Sequence, residues 1–117
     1  MQRRFVIQIH SGWGPTHFDL MIEEGDALAT WQLDRCPWDA RDRFECLRIA
    51  DHRRAYLDYE GPVSRGRGRV DIHTAGVAEL TCFSEDRLEG VLVASGERRP
   101  FGLVREEGDQ WLLVVGS

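Results

Sequence analysis

The feature that most limits the fold is the spacing of apolar runs in the second half of the chain. Val70–Thr74, Val77–Phe83, Leu88–Ala94, Phe101–Arg105 and Trp111–Val115 are each short, and each is bounded by Gly, Asp, Ser or Pro. Runs of this length recurring every ~8–12 residues between turn residues are the pattern of an all-β barrel or sandwich. The first half continues it. Residues 5–23 (FVIQIHSGWGPTHFDLMIE) read as two strands joined by a Gly/Pro loop, and Glu24-Gly25-Asp26 makes a tight turn into a third strand over Leu28–Leu33. Asp34–Asp42 is a polar, Pro-containing loop with room for a short helical turn, and Glu45–Asp51 is a strand ending at His52. His52–Gly61 reads as an irregular connection, and Pro62–Arg69 as a loop or the bulged start of a strand. Nowhere does a window of about 12 residues hold a helical period. The expectation is a mainly all-β chain, a small antiparallel β-barrel with at most short helical turns, in one domain spanning 1–117.

Charge and cysteine usage narrow the classes of function. The net charge of −5 gives no global basic field to draw in nucleic acid. The 15 basic residues are all arginine, however, and they cluster at Arg53-Arg54 and at Arg65, Arg67 and Arg69, so a local patch can still bind phosphate. Cys36, Cys46 and Cys82 are odd in number with no C-x-x-C pair, which argues against a disulfide framework or zinc knuckle and for a reducing compartment. No apolar run approaches membrane-spanning length and there is no secretory leader pattern, so the expected location is cytoplasmic, with no membrane partner.

Chemistry concentrates in the first two strands. Side chains alternate faces along a strand, so His17 and Asp19 share one face, and the loop Ser11–Thr16 can fold back to bring His10 beside them. Two imidazoles and a carboxylate suit Mn, Fe, Co or Zn; the same residues also fit surface histidines at a sheet edge. Asp51-His52-Arg53-Arg54 with Tyr56 reads either as a phosphate-binding and general-acid cluster or as a solvated polar turn. Arg65-Gly66-Arg67-Gly68-Arg69 reads either as a loop tracking a nucleic-acid backbone or as a solvated basic loop. His73 is taken as an ordinary surface histidine. Trp31, Trp38 and Trp111 are assigned to packing, and Trp13 to the rim of the metal cluster.

Taken in order, FVIQIH, HFDLMIE, DALATWQLDRCPW and the DH…Y…DYEG stretch resemble the 3′-phosphoesterase domain of bacterial DNA ligase D and its stand-alone relatives. The resemblance covers residues 5 to about 72 motif by motif, and the remainder by strand pattern alone. It implies a small barrel with a manganese-dependent site that trims nucleic-acid 3′ ends in DNA repair, removing a 3′-ribonucleotide or 3′-phosphate. The partners it implies are DNA or DNA/RNA 3′ ends and a DNA ligase or polymerase. Carried over by position, His10, His17 and Asp19 match the metal ligands, with other divalent transition metals as substitutes for Mn2+. His52 matches a histidine on the scissile phosphate, Tyr56 the neighbouring tyrosine, and Arg35 a lysine that follows the tryptophan strand. Arg53, Arg54, Arg65 and Arg67 are further candidates for the phosphate.

The chain departs from that pattern at Met21, where the family carries an arginine on the aspartate's face. It also departs at Ala50, in place of an acidic residue, and at Arg53, in place of proline. Loss of a donor to a developing oxyanion costs on the order of 10²–10³ in rate. A catalytically weak or inactive relative that binds nucleic-acid ends or a repair partner is therefore the rival expectation, and Met21→Arg is expected to raise activity.

Overall fold

The structure is a computed structural model and describes residues 1–116. The strands are β1 (Gln2–Ser11), β2 (His17–Glu24), β3 (Ala27–Leu33), β4 (Arg43–Arg53), β5 (Gly61–Pro62), β6 (Arg69–Phe83), β7 (Arg87–Ala94), β8 (Glu97–Glu107) and β9 (Gln110–Val115). Short 3-10 turns at Arg54–Leu57 and Ser64–Gly66 are the helical content among the described residues. The hydrogen-bonded order is β1-β2-β3-β4-β9-β8-β7-β6-β5, and β1 also pairs with β6. Every pairing is antiparallel. The β1–β6 pairing closes eight strands into a barrel, as the alternating runs predict, and removes the free edges of an open sheet. No helix among the described residues is long and apolar enough to cross a membrane.

The barrel interior is filled. Phe5, Ile7, Leu20, Ile22, Trp31, Leu88, Leu92, Leu103, Trp111 and Leu113 form one continuous core, with Trp31 and Trp111 edge to face. The β3–β4 loop covers this core: Trp38 packs 6.2 Å from Phe5, with the Arg99 guanidinium 4.4 Å over its ring. A second, smaller apolar cluster lies on the other face of β1 and β2. It holds Val6, Met21 and Leu28 under Leu57, with Tyr56 and Ile72 at its margin. The connection from β4 to β6, residues 54–68, is thus a flap folded against the outside of the barrel, anchored through Leu57.

One strand is longer than its sequence pattern suggests. The runs Val70–Thr74 and Val77–Phe83 form a single strand, β6, which pairs with β1 in its first part and β7 in its second. Gly76 permits this, because a Cβ there would lie 2.0 Å from the Val93 carbonyl oxygen. The pairing also slips between Ile7↔Thr74 and Gln8↔Ile72, leaving His73 as the extra residue of a β-bulge.

Candidate functional site

The antiparallel register assembles the site. His10 stands directly opposite His17, and Gln8 directly opposite Asp19, so all four side chains share the outer face of the β1–β2 ribbon. The His10 and His17 rings meet edge to face with centroids 4.8 Å apart, and His17 Nε2 lies 3.5 Å from Asp19 Oδ2. One ligand atom from each of His10, His17 and Asp19 falls within 4.8 Å of the others. Bonds of about 2.0–2.2 Å to a tetrahedral cation hold neighbouring donors ~3.3–3.6 Å apart, so this triad fits a divalent transition metal after only a slight contraction.

Two further observations favour a cation here. Asp19 is almost fully buried and its Oδ1 has no hydrogen-bond partner, an arrangement that costs free energy unless something positive meets it. Burial pushes the Asp19 carboxyl above the ordinary aspartate value, against the opposing pull of the His17, His52 and His10 imidazoles. The histidines are also oriented from behind. His10 Nε2 donates to the Arg67 carbonyl oxygen at 2.7 Å, so its lone pair is on Nδ1. His17 Nδ1 lies 3.4 Å from the Pro15 carbonyl oxygen, which leaves Nε2 as the nitrogen facing Asp19.

A polar cleft of about 350 Å³ opens beside His10, lined by Trp13, His52, Arg53, Tyr56, Ser64 and Arg67 among others. His52 stacks edge to face on Tyr56 at 5.4 Å, and its Nδ1 is buried without a partner. Trp13 is more than half exposed, lies 6.1 Å from the His10 ring, and also borders a less polar hollow of about 530 Å³ that contains His17, Gln32 and Leu47. Of the tryptophans it alone is exposed; Trp31, Trp38 and Trp111 are buried in the core.

Of the residues singled out in the sequence, His10, His17, Asp19, His52, Arg53, Tyr56 and Arg67 therefore meet at one place. Arg35, Arg54 and Arg65 do not line the cleft. Arg35 bonds to Asp42 and the Arg43 carbonyl and lies over the Phe44 ring. Arg54 pairs with Glu23 and reaches the Gly25 carbonyl. Arg65 occupies the second 3-10 turn with φ at 64°. Position 21 has an unexpected setting: Met21 is fully buried beneath Leu57, so an arginine there would enter an apolar cluster before it reached any phosphate.

Gln8 is a supporting residue that pattern reading passes over. It is fully buried, and its Nε2 donates to the carbonyls of Tyr56 (2.8 Å) and Tyr59 (3.2 Å), tying the flap to the barrel beside Asp19. The signal was a glutamine two residues before a histidine, on the same strand face. Gly68 fixes the other end of the flap. Its φ is +76°, and a Cβ there would lie 2.0 Å from the Ser11 carbonyl oxygen, so only glycine lets this loop close against the end of β1.

No protein-family model and no curated protein matches this chain.

Proposed function

We propose that the chain is a divalent-metal-dependent phosphoesterase acting on nucleic-acid 3′ ends, removing a terminal phosphate or ribonucleotide in DNA repair. The observation that carries the reading is the pairing of the His10–His17–Asp19 triad, with its orphaned carboxylate oxygen, with a cleft holding a histidine, a tyrosine and two arginines. The ordered motifs shared with ligase D 3′-phosphoesterase domains supply the substrate class. His10, His17 and Asp19 would hold the cation, Mn2+ by the resemblance. Bound there, it would offset charge developing on the phosphate oxygens.

The chain's own groups account for the rest. Arg53 and Arg67 are exposed cations at the cleft and are assigned to the phosphate oxygens. Hydrolysis adds a water oxygen to phosphorus and returns a proton to the departing 3′ oxygen; His52 is assigned to give that proton, with Tyr56 holding its ring. Trp13, exposed between the two hollows, is assigned to stack on the terminal base. A second reading, a binder of nucleic-acid ends without turnover, is favoured by Met21 alone, since its burial leaves no donor where the family carries one.

The test is cleavage of a primer–template bearing a 3′-terminal ribonucleotide or 3′-phosphate, with and without Mn2+. Metal-dependent release of the 3′ group, abolished by His17→Ala, is expected. Tight end-binding without release, from a protein that takes up Mn2+, would favour the second reading.

A further inference from the structure

A second cluster of ligand-type side chains stands apart from the first. Cys36 and Asp39 belong to the loop that covers the barrel core, and His73 is the bulge residue of β6. Thr74 faces inward with Ile7, whereas Ile72 faces outward with Gln8; the slip between them turns His73 out of the regular alternation. It comes to rest against the loop. Both ring nitrogens lie 3.6 Å from Cys36 Sγ, and Nε2 lies 3.3 Å from Asp39 Oδ1. The three donors fall within 4.8 Å of one another.

We propose that Cys36, Asp39 and His73 form a second metal site, suited to Zn2+, that fastens the β3–β4 loop to the bulge of β6. A thiolate, an imidazole and a carboxylate at tetrahedral angles on zinc, with bonds of about 2.0–2.3 Å, stand ~3.3–3.7 Å apart, and the sulfur–nitrogen and nitrogen–oxygen separations here already match. The softness of the set also separates it from the His10–His17–Asp19 triad, since sulfur favours zinc over manganese.

Supporting contacts surround the donors. His73 Nδ1 lies 2.6 Å from Thr74 Oγ1, which fixes the ring and leaves Nε2 toward Asp39. A cysteine–histidine nucleophile fits less well, because neither ring nitrogen is aimed at the sulfur in preference to the other. The cation would enter from the side of Asp39, which is largely exposed, and a water would complete the tetrahedron.

Cobalt titration of the purified full chain tests this. Wild type is expected to develop a thiolate-to-cobalt charge-transfer absorption that added Zn2+ bleaches, and to bind two equivalents of Co2+. His17→Ala should keep the absorption while losing one equivalent, which separates this site from the proposed phosphoesterase centre. Cys36→Ser should abolish it and Cys82→Ser should leave it unchanged. Asp39→Asn, at an exposed loop position that does not threaten folding, should weaken the cobalt affinity about 10-fold or more. No charge-transfer absorption at saturating Co2+, or an absorption that survives Cys36→Ser, would overturn the proposal.

Discussion

Replacing Met21 by arginine pits the family pattern against the packing of this chain. Met21 has no exposed surface and shares its cluster with Val6, Leu28 and Leu57. Burying a side chain of this size contributes about 1.5–3 kcal/mol. A guanidinium cannot remain there unpaired, so it must push Leu57 away, forfeiting a second burial of about 1.5–3 kcal/mol. The expected loss is ~3–6 kcal/mol, a large part of the ~5–15 kcal/mol that holds a small domain together. For a chain of this length it corresponds to a fall in Tm of about 10–25 °C. Met21→Leu, which keeps shape and polarity, should cost less than about 1.5 kcal/mol. Thermal unfolding of the three proteins followed by circular dichroism, with 3′-end cleavage measured on the folded samples, decides the matter. An arginine variant within a few degrees of wild type would refute the reasoning. It would mean that the guanidinium reaches the unpartnered Asp19 oxygen on the same strand face, and a gain in cleavage would support the proposed phosphoesterase reading.

Three other outcomes are expected. Trp13→Ala should raise the KM for a 3′-terminal nucleotide by about 5- to 150-fold, the equivalent of ~1–3 kcal/mol of stacking, with Tm unchanged because the side chain is exposed; steady-state kinetics on the primer–template checks it. In metal-free protein the raised Asp19 pKa means the folded state binds its proton more tightly than the unfolded chain. That contribution to stability is complete below the ordinary aspartate pKa and is lost as pH climbs through the raised value; urea unfolding across acid pH should show the decline, and Asp19→Asn should flatten it. With a thiol-alkylating reagent near neutral pH, Cys82 should label quickly. Cys46, buried with its thiol pushed up to about 12, should resist until the protein unfolds, as mass spectrometry of timed digests would record.

The strand content and the meeting of His10, His17 and Asp19 were legible in the sequence for the same reason: both depend on strand alternation and on short hairpins, which are local. The parts that were not legible depend on contacts between distant segments. Met21 reads as the outward partner of His17 and Asp19, but whether it meets solvent or Leu57 depends on where residues 54–68 fold back. Arg54 reads as a free cation because its carboxylate partner, Glu23, comes from a distant strand, and Arg35 because its pairing with Asp42 depends on how the loop between them folds back. His73 is exposed, as its sequence reading has it, but its contact with Cys36 and Asp39 is not legible, because alternation assumes an unbroken register and a bulge breaks it at that residue. The approach of His73 to Cys36 is likewise hidden from the sequence, since 37 residues separate them and the barrel alone brings them together.

The separation of the two apolar clusters by the β1–β2 ribbon bears on how the molecule fluctuates. The flap is held by Leu57, by two hydrogen bonds from Gln8, by the short β5–β6 ladder and by the ion pairs Arg4–Asp58 and Arg54–Glu23, whereas the interior is locked by the whole ring of strands. Local opening of such a segment is expected to need less free energy than unfolding the closed ring of strands, which separates access to the cleft from the stability of the barrel. Substitutions in the interior would then act on the lifetime of the whole molecule, whereas changes to Gln8 or Leu57 would act on access to the cleft as well as on the fold, because both side chains are buried against the barrel.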